Sequence, residues 1–386
     1  MEFELTPEQK LFRDSVRAWV NKEVPKDLAR ELEAREERWP FEIWDKMTAA
    51  GYHAIGLPEE YGGQGGDVFI QAIFIRELSR TLGGLTWLWG VSSFCARSIY
   101  LYAQEETKQD LLPRLARGEI RIAISVTEPG GGTDLLGAMK TRATKVPGGW
   151  SIKGQKIWST SAHVSQYLLL LARTKKQEEK ASRGLTIFLV PNPSEGLSTR
   201  EIPKLGMRSL GSCEVFLDDV FVPDQNVVGE VDAGWYHMLA SLNNERILVA
   251  AMCTGIMDGV LEDGLKYVME REAFGKPIGQ FQVLQHFIAD IAMWRQEAEL
   301  MMYYAAWRQQ NDLPCGIEAT MAKVVASENA IRSADHGITL LGGMGYAMET
   351  DMQRYWRDAR GYGFGPITNQ MARNIIAESL GLPRSF

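Results

Sequence analysis

The hydrophobic period of this chain changes twice, and that change restricts it to a helical protein interrupted by a β-rich segment. Residues 1–120 read as helices. In Thr6-Pro7-Glu8-Gln9 a capping residue precedes proline at the first helical position, and Gln9 stands three after the cap. Leu11, Phe12, Val16, Trp19 and Val20 then recur at helical spacing. A second helix is predicted over about 41–50, stopped by Gly51; Gly62, Gly63, Gly65 and Gly66 mark a loop. Two further helices are predicted over roughly 67–81 and 85–117. Residues 121–225 instead hold short runs rich in Val, Ile, Leu and Thr: RIAISV, GWSIKG, QYLLLLART, GLTIFLVP and EVFLDDVFVP. Gly, Pro and charged turns separate them at regular spacing, which is an all-β pattern. From about 233 to 380 the helical period returns. Residues 247–271 are apolar on most faces, as a bundle-core helix must be, and further helices are predicted over 282–310, 317–341 and 368–381. The fold class is α+β, divided as 1–120, 121–230 and 231–386.

A length of 386 residues suits two or three such units. With 45% hydrophobic and 24% charged residues the composition is that of a soluble globular protein. The net charge of −7 provides no basic surface for nucleic acid or an anionic membrane. The one charge run, 175–180, mixes signs between two apolar strands and reads as a solvated hairpin tip. Cys95, Cys213, Cys253 and Cys315 show no CxxC spacing, which fits buried thiols in a reduced compartment. No histidine spacing suggests a metal site. The first residues, MEFELTPEQK, hold no signal-peptide core, and no apolar run reaches transmembrane length. The reading is cytoplasmic with no membrane insertion, although a processed organelle protein would look the same.

The stretch AISVTEPGGGTD carries the most chemical information. An apolar run over 122–126 ends in Thr127, Glu128, Pro129 and three consecutive glycines. Such a run surrenders side-chain packing and costs chain entropy, while the proline shapes the loop. Close approach of backbone to a flat or anionic group would justify that cost. On the glycines alone, a wide turn between strands is an equal reading.

VTEPGGGTD is very similar to the flavin-loop signature of the acyl-CoA dehydrogenase family, usually TEPxAGSD, with Gly for the usual Ala and Thr133 for the usual Ser. LPEEYGGQGGD (57–67), GQKIWSTSA (154–162), KLGMRSLGSCEVFLDDVFVP (204–223), EREAFGKPIGQFQ (270–282), LLGGMGY (340–346) and WRDARGYGFGPITNQ (356–370) match further family motifs in the right order. The resemblance runs from about residue 5 to the C-terminus. It implies an N-terminal α-helical domain, a middle β-barrel domain and a C-terminal four-helix bundle. It also implies FAD, an acyl-CoA substrate, an electron-transfer flavoprotein as acceptor, and a homotetramer.

Residue by residue, the resemblance assigns Val126 and Thr127 to the isoalloxazine edge, and Gly132 and Thr133 to the pyrophosphate. Trp158, Ser159 and Thr160 match the strand that packs on the ring, with Trp158 the stacking partner; taken alone, Trp158 would read as a barrel-core aromatic. Arg271, Phe274 and Gln282 match positions that reach the FAD of a neighbouring subunit, whereas alone Arg271 is a solvated helix end between Glu270 and Glu272. An arginine there can pair with a phosphate bidentately. Gly342 and Gly343 would let backbone approach the adenosine half, and Thr368 and Gln370 complete the cofactor set. Thr339 stands where the family commonly has Gln. The adenosine-end motifs favour FAD over FMN.

The family reaction removes an α-proton from an acyl-CoA thioester while the β-hydride moves to flavin N5, which needs a carboxylate base and donors to the thioester oxygen. In many members the base is the Glu of YEGT. Here those positions are Gly365, Pro366, Ile367 and Thr368, and proline cannot be a base. Isovaleryl-CoA and long-chain dehydrogenases use a second position, which here is Glu245 in NNERILVA. The competing reading of Glu245 is a surface carboxylate at a helix start; the apolar residues that follow argue for shelter. Asn243, Arg246 and Thr133 match CoA-contacting positions. Pro366 also removes the N–H that donates to the thioester oxygen in the family, and losing one such donor costs about 3 kcal/mol. Either the Ile367 N–H takes over through a shifted loop, or the enolate is less stabilised. The predicted helix with Trp87, Trp89, Phe94, Arg97 and Tyr100 should line the acyl pocket; packed aromatics and a solvated Arg97 are the preferred reading. Pro366 motivates an alternative function as a desulfinase-like lyase or carrier-protein-linked acyl dehydrogenase, and a flavin-containing binding protein without turnover is a third class.

Overall fold

The first helix begins where its capping sequence requires. Thr6 Oγ1 accepts from Gln9 N at 3.2 Å, and Thr6 N donates to Gln9 Oε1 at 3.0 Å. The computed structural model describes residues 4–175 and 180–384, so most of the expected hairpin tip lies outside the described residues. From that cap run α1 (Pro7–Glu23), α2 (Lys26–Ala34), α3 (Phe41–Ala49), α4 (Val68–Ser79), α5 (Gly83–Tyr102) and α6 (Glu105–Ala116). The single helix expected over 85–117 is therefore two. Ala103 turns to an extended backbone (φ −72°, ψ 160°) and Glu105 and Glu106 begin a new first turn. Carboxylates favour a helix N-terminus, so that acidic pair was the available signal. Helix α2 was not anticipated.

The middle layer is one eight-stranded sheet. It contains β1 (Ile122–Ser125), β2 (Arg142–Val146), β3 (Gly149–Thr160), β4 (Tyr167–Arg173), β5 (Leu185–Pro191), β6 (Leu197–Glu201), β7 (Ser212–Pro223) and β8 (Val227–Val228). The order is β6-β7-β3-β2-β4-β5-β8, with β1 parallel to β4 from Ile122↔Tyr167. Strand β6 was not among the expected runs, because an edge strand with mostly outward side chains carries little apolar signal. The β3–β7 ladder breaks register between Lys156 and Ser159, which re-aims the side chain between them.

The C-terminal third holds α7 (Gly234–Glu270), a hairpin of β9 (Glu272–Ala273) and β10 (Lys276–Pro277), α8 (Gln282–Gln310), α9 (Gly316–Leu341), α10 (Gly343–Tyr346), α11 (Met352–Gly361) and α12 (Asn369–Ser379). Helix α7 starts well before the apolar run that announced it, and residues 247–254 are completely buried. It is covered by α4 and α5 on one side and by α8 and α9 on the other. Among the described residues no helix is long and apolar enough to cross a membrane.

Helix α4 is buried over residues 71–79, yet carries Arg76 and Glu77. Arg76 Nε donates to Asp258 Oδ2 of α7 at 2.6 Å, and the same guanidinium reaches Glu299 of α8. Arg295 donates to Asp258 Oδ1 at 2.9 Å and also pairs with Glu299. Burial pushes the Asp258 carboxyl up, but Arg76 and then Arg295 outweigh it and hold the group below its ordinary value. Two arginines and two carboxylates thus close a neutral cluster across three helices. Removing one partner from a buried pair costs about 3–5 kcal/mol, because the other charge is left without compensation. Arg76→Ala is expected to lower the Tm by several degrees in a thermal melt. Lys153→Ala, which removes an ion pair facing solvent, should leave the Tm unchanged.

Candidate active site

Glu128 is the anchor of the glycine-rich loop. Its buried carboxylate accepts from Lys140 N (2.6 Å), Thr141 N (2.9 Å) and Lys156 Nζ (2.8 Å). Lys156, fully buried on β3, also donates to the Val126 carbonyl at 3.1 Å. Burial brings the Lys156 amine down to about 8, with Glu128 opposing. The Thr127 carbonyl accepts from Ile157 N at 2.9 Å. The loop between β1 and β2 is therefore clamped to β3 from beneath.

The three glycines differ. A Cβ on Gly131 would lie 2.5 Å from Ala138 Cβ, whereas one on Gly130 or Gly132 would meet nothing within 4 Å. Gly132 and Thr133 are exposed, and their backbone N–H groups have no acceptor among the described residues. Trp158 stands out from the β3 irregularity with φ 63° and 55% exposure, so it is not a barrel-core aromatic. Ser159 is buried and accepts from Ser125 Oγ at 2.8 Å, and Thr160 Oγ1 meets Ser212 Oγ at 3.2 Å. An exposed indole on β3 and two open N–H groups on the loop tied to β3 through Thr127 and Ile157 suit a ring and a pyrophosphate, as FAD requires.

A second exposed corner gathers the residues matched to a neighbouring subunit. Arg271 caps α7, its N–H donating to Tyr267 O at 2.8 Å, and its side chain faces solvent. Phe274 sits at the β9–β10 tip with φ 52° and 95% exposure. Gln282 opens α8, also exposed. Gly342 has φ 60°, and neither it nor Gly343 has an atom within 4 Å of a Cβ position. Thr368 Oγ1 caps α12 by accepting from Met371 N at 3.1 Å, Gln370 is exposed in the following turn, and Thr339 is exposed with its hydroxyl on Asp335 O.

Glu245 lies about three turns inside α7. It is not a helix-start carboxylate, which was the competing reading. The residue is partly buried and its carboxylate makes no hydrogen bond among the described residues. Burial pushes it up to about 7, with Arg246 pulling it back. Burial also lowers Arg246, whose guanidinium donates to Thr320 Oγ1 of α9 at 3.2 Å. Next to Glu245, Asn244 donates to Gln71 Oε1 of α4 at 3.3 Å and accepts from Gln309 of α8 at 3.0 Å, fixing this turn of α7. Asn243 lies beside Gly316 at the start of α9. Near Glu245, Cys95 of α5 is buried, and its thiol is pushed up by burial and by Glu245. The aromatics of α5 are packed: Trp89 stands edge-on to Phe74 at 5.5 Å and Tyr100 to Tyr61 at 6.1 Å, while Arg97 is exposed.

Sequence reasoning missed Lys323. It is completely buried on α9 and donates to Tyr362 O (2.8 Å), Ile367 O (2.7 Å) and Asn369 Oδ1 (2.7 Å). Its signal was a lone lysine within an otherwise apolar or small-residue run (MAKVVAS).

Known proteins resemble the chain along nearly its whole length. Family models for the acyl-CoA dehydrogenase N-terminal, middle and C-terminal domains match residues 6–119, 123–220 and 232–381. A probable acyl-CoA dehydrogenase of Bacillus subtilis is 35% identical over 98% of this chain and 100% of its own. The mitochondrial isovaleryl-CoA dehydrogenase of Solanum tuberosum is 33% identical, covering 96% and 90%. The solved complex of glutaryl-coenzyme A dehydrogenase with glutaryl-CoA has a TM-score of 0.94 at 31% identity, covering 100% of this chain and 98% of that one.

A carboxyl raised by folding binds protons that the unfolded chain has already released. Between its ordinary value and about 7, stability therefore falls as pH rises. Glu245→Gln removes that cost. The variant should match the native protein near pH 4.5 and exceed it by about 1–3 kcal/mol at pH 8, measured by unfolding at the two pH values. Equal pH dependence of the two proteins would contradict a raised Glu245.

Proposed function

The chain belongs to the acyl-CoA dehydrogenase family, and on that premise we propose that it desaturates an acyl-CoA thioester with Glu245 as the base. One observation carries the residue assignment. Glu245 is a partly buried carboxylate without a hydrogen bond among the described residues, raised to about 7, on a helix that cannot move independently of the bundle. A base poised near neutrality takes up a proton efficiently while a substantial fraction of it is still ionised near pH 7. In the reaction the substrate α-C–H bond breaks and its proton goes to a Glu245 oxygen. Arg246, held by Thr320, and Asn243 orient the CoA thioester, with Thr133 at the other edge of the site. FAD, when bound, supplies the acceptor for the β-hydride. Val126 and Thr127 hold the ring edge, Trp158, Ser159 and Thr160 its face, and Gly132 and Thr133 the pyrophosphate.

Arg271, Phe274 and Gln282 form an exposed corner whose contacts are with α7 and α8. We assign them to the FAD of a neighbouring subunit in a homotetramer, with Gly342 and Gly343 near the adenosine half of the cofactor and Thr368 and Gln370 completing the cofactor set. The reduced enzyme then passes its electrons to an electron-transfer flavoprotein. The units 1–120, 121–230 and 231–386 act together, since the base, the flavin loop and the acyl-pocket helix come from different ones.

Anaerobic flavin bleaching against short straight, branched, long, aromatic and dicarboxylic acyl-CoAs tests this reading. Rapid bleaching by one class is expected. In Glu245→Gln the bleaching rate should fall by a factor on the order of 10³, and in the native enzyme kcat/KM should rise with pH through about 7. A native protein that holds FAD but bleaches with none of them would favour the lyase or carrier-protein reading that Pro366 motivates. Arg271→Ala is expected to weaken FAD retention about tenfold or more, read as free flavin after gel filtration.

A further inference from the structure

The segment 362–369 joins α11 to α12 and lies over the base helix. Tyr362 OH donates to Met252 Sδ of α7 at 3.4 Å and accepts from Trp87 Nε1 of α5 at 3.2 Å. Within it, the Gly363, Phe364 and Gly365 N–H groups bond to the Arg360 and Gly361 carbonyls at the end of α11, and Asn369 N–H to Gly363 O. Pro366 has none. The N–H groups of Ile367 and Thr368 have no acceptor among the described residues, although both residues are partly buried. Two successive donors left open in a sheltered turn are uncommon in a folded protein and mark a place where an external acceptor belongs.

This turn is tied down from inside. The Lys323 ammonium uses its three N–H groups on Tyr362 O, Ile367 O and Asn369 Oδ1. A trans peptide directs its C=O and N–H oppositely. Holding the Ile367 carbonyl therefore points the Thr368 N–H away from the buried amine, toward the open side. Lys323 follows Thr320 by one helical turn, and Thr320 holds Arg246 beside Glu245. One face of α9 thus sets both the neighbour of the base and the turn that carries the free donors.

We propose that Lys323 is a positioning residue for this reaction. By gripping the Ile367 carbonyl it orients the Thr368 N–H, and by also gripping Tyr362 and Asn369 it fixes the turn that carries the Ile367 N–H; both stay in place as donors to the thioester oxygen, a task residue 366 cannot perform as a proline. The proposal rests on the dehydrogenase reading above. The oxygen gains negative charge as the α-proton moves to Glu245, and fixed donors stabilise that charge without reorganising.

The test uses the FAD-loaded enzyme and two readouts. The first is the bleaching rate constant with the best acyl-CoA, together with its Kd. The second is the pH at which a bound 3-thia-acyl-CoA, which can lose its α-proton but cannot be oxidised, forms its enolate, read by long-wavelength absorption. Misplacing a group by about 1 Å costs on the order of a hundredfold. Lys323→Met should therefore slow bleaching about a hundredfold with Kd within about threefold, and raise the enolate pKa by about two units. Lys323→Gln, which keeps two N–H donors, should fall between, and it carries the measurement if the methionine variant does not fold. A variant with a lower Tm but native bleaching and native enolate pKa would overturn the proposal and leave Lys323 a strut. A native enzyme that bleaches with no acyl-CoA would instead overturn the dehydrogenase reading, and this inference with it.

Discussion

Helix α7 has no solvent face through its middle, and the molecule is arranged around that condition. A helix buried all round must meet apolar neighbours in every direction, and α4, α5, α8 and α9 supply them. Its few polar groups there must be answered internally. Thr254 turns back on Ala250 O, and Asp258 is enclosed by Arg76 and Arg295. The cluster joins the first and last thirds of the chain, so the two helical parts form one body across the sheet. Glu245 sits on the same rod, one side of it fixed by Asn244. Glu245, the proposed base, inherits the rigidity of the bundle, and adjustment around it falls to side chains and loops.

Those loops are held by two buried ammonium groups. Lys156 grips the flavin loop through Glu128 and Val126, and Lys323 grips the 362–369 turn through two carbonyls and an amide. Taking a charge out of water is expensive, and burial lowers both amines to about 8. Two hydrogen bonds on Lys156, one of them to a carboxylate, and three on Lys323 offset that penalty. The arrangement converts glycine-containing segments, which would otherwise sample many conformations, into shaped ones.

Much of this was legible before the fold. The alternation of hydrophobic period located the helical, β and helical parts because period is a local property. The Thr6 cap was readable for the same reason. The break at Ala103 was not, since neither glycine nor proline marks it and only Glu105 and Glu106 hinted at a new start. Helices α10 and α11 escaped because their packing partners, not their pattern, determine them. In the candidate site, Glu245 was visible through its neighbours NNER. Its raised carboxyl was not, because that depends on α5 packing from far away in sequence. Lys323 was invisible as a site residue: its meaning lies in carbonyls some forty residues later, and carbonyls leave no trace in a sequence.

The glycine loop separates two kinds of necessity that sequence patterns merge. At Gly131 the obstacle to a side chain is Ala138 and the Asp134 carbonyl, both parts of this chain. At Gly132 the protein itself offers no obstacle. The first position is held by self-consistency of the fold and would stay fixed in a descendant that abandoned its cofactor. The second, if the proposed cofactor contact is its reason, is held from outside and would be among the first to drift. Comparing variation at 131 and 132 across descendants would therefore date the loss of a ligand separately from the decay of the scaffold.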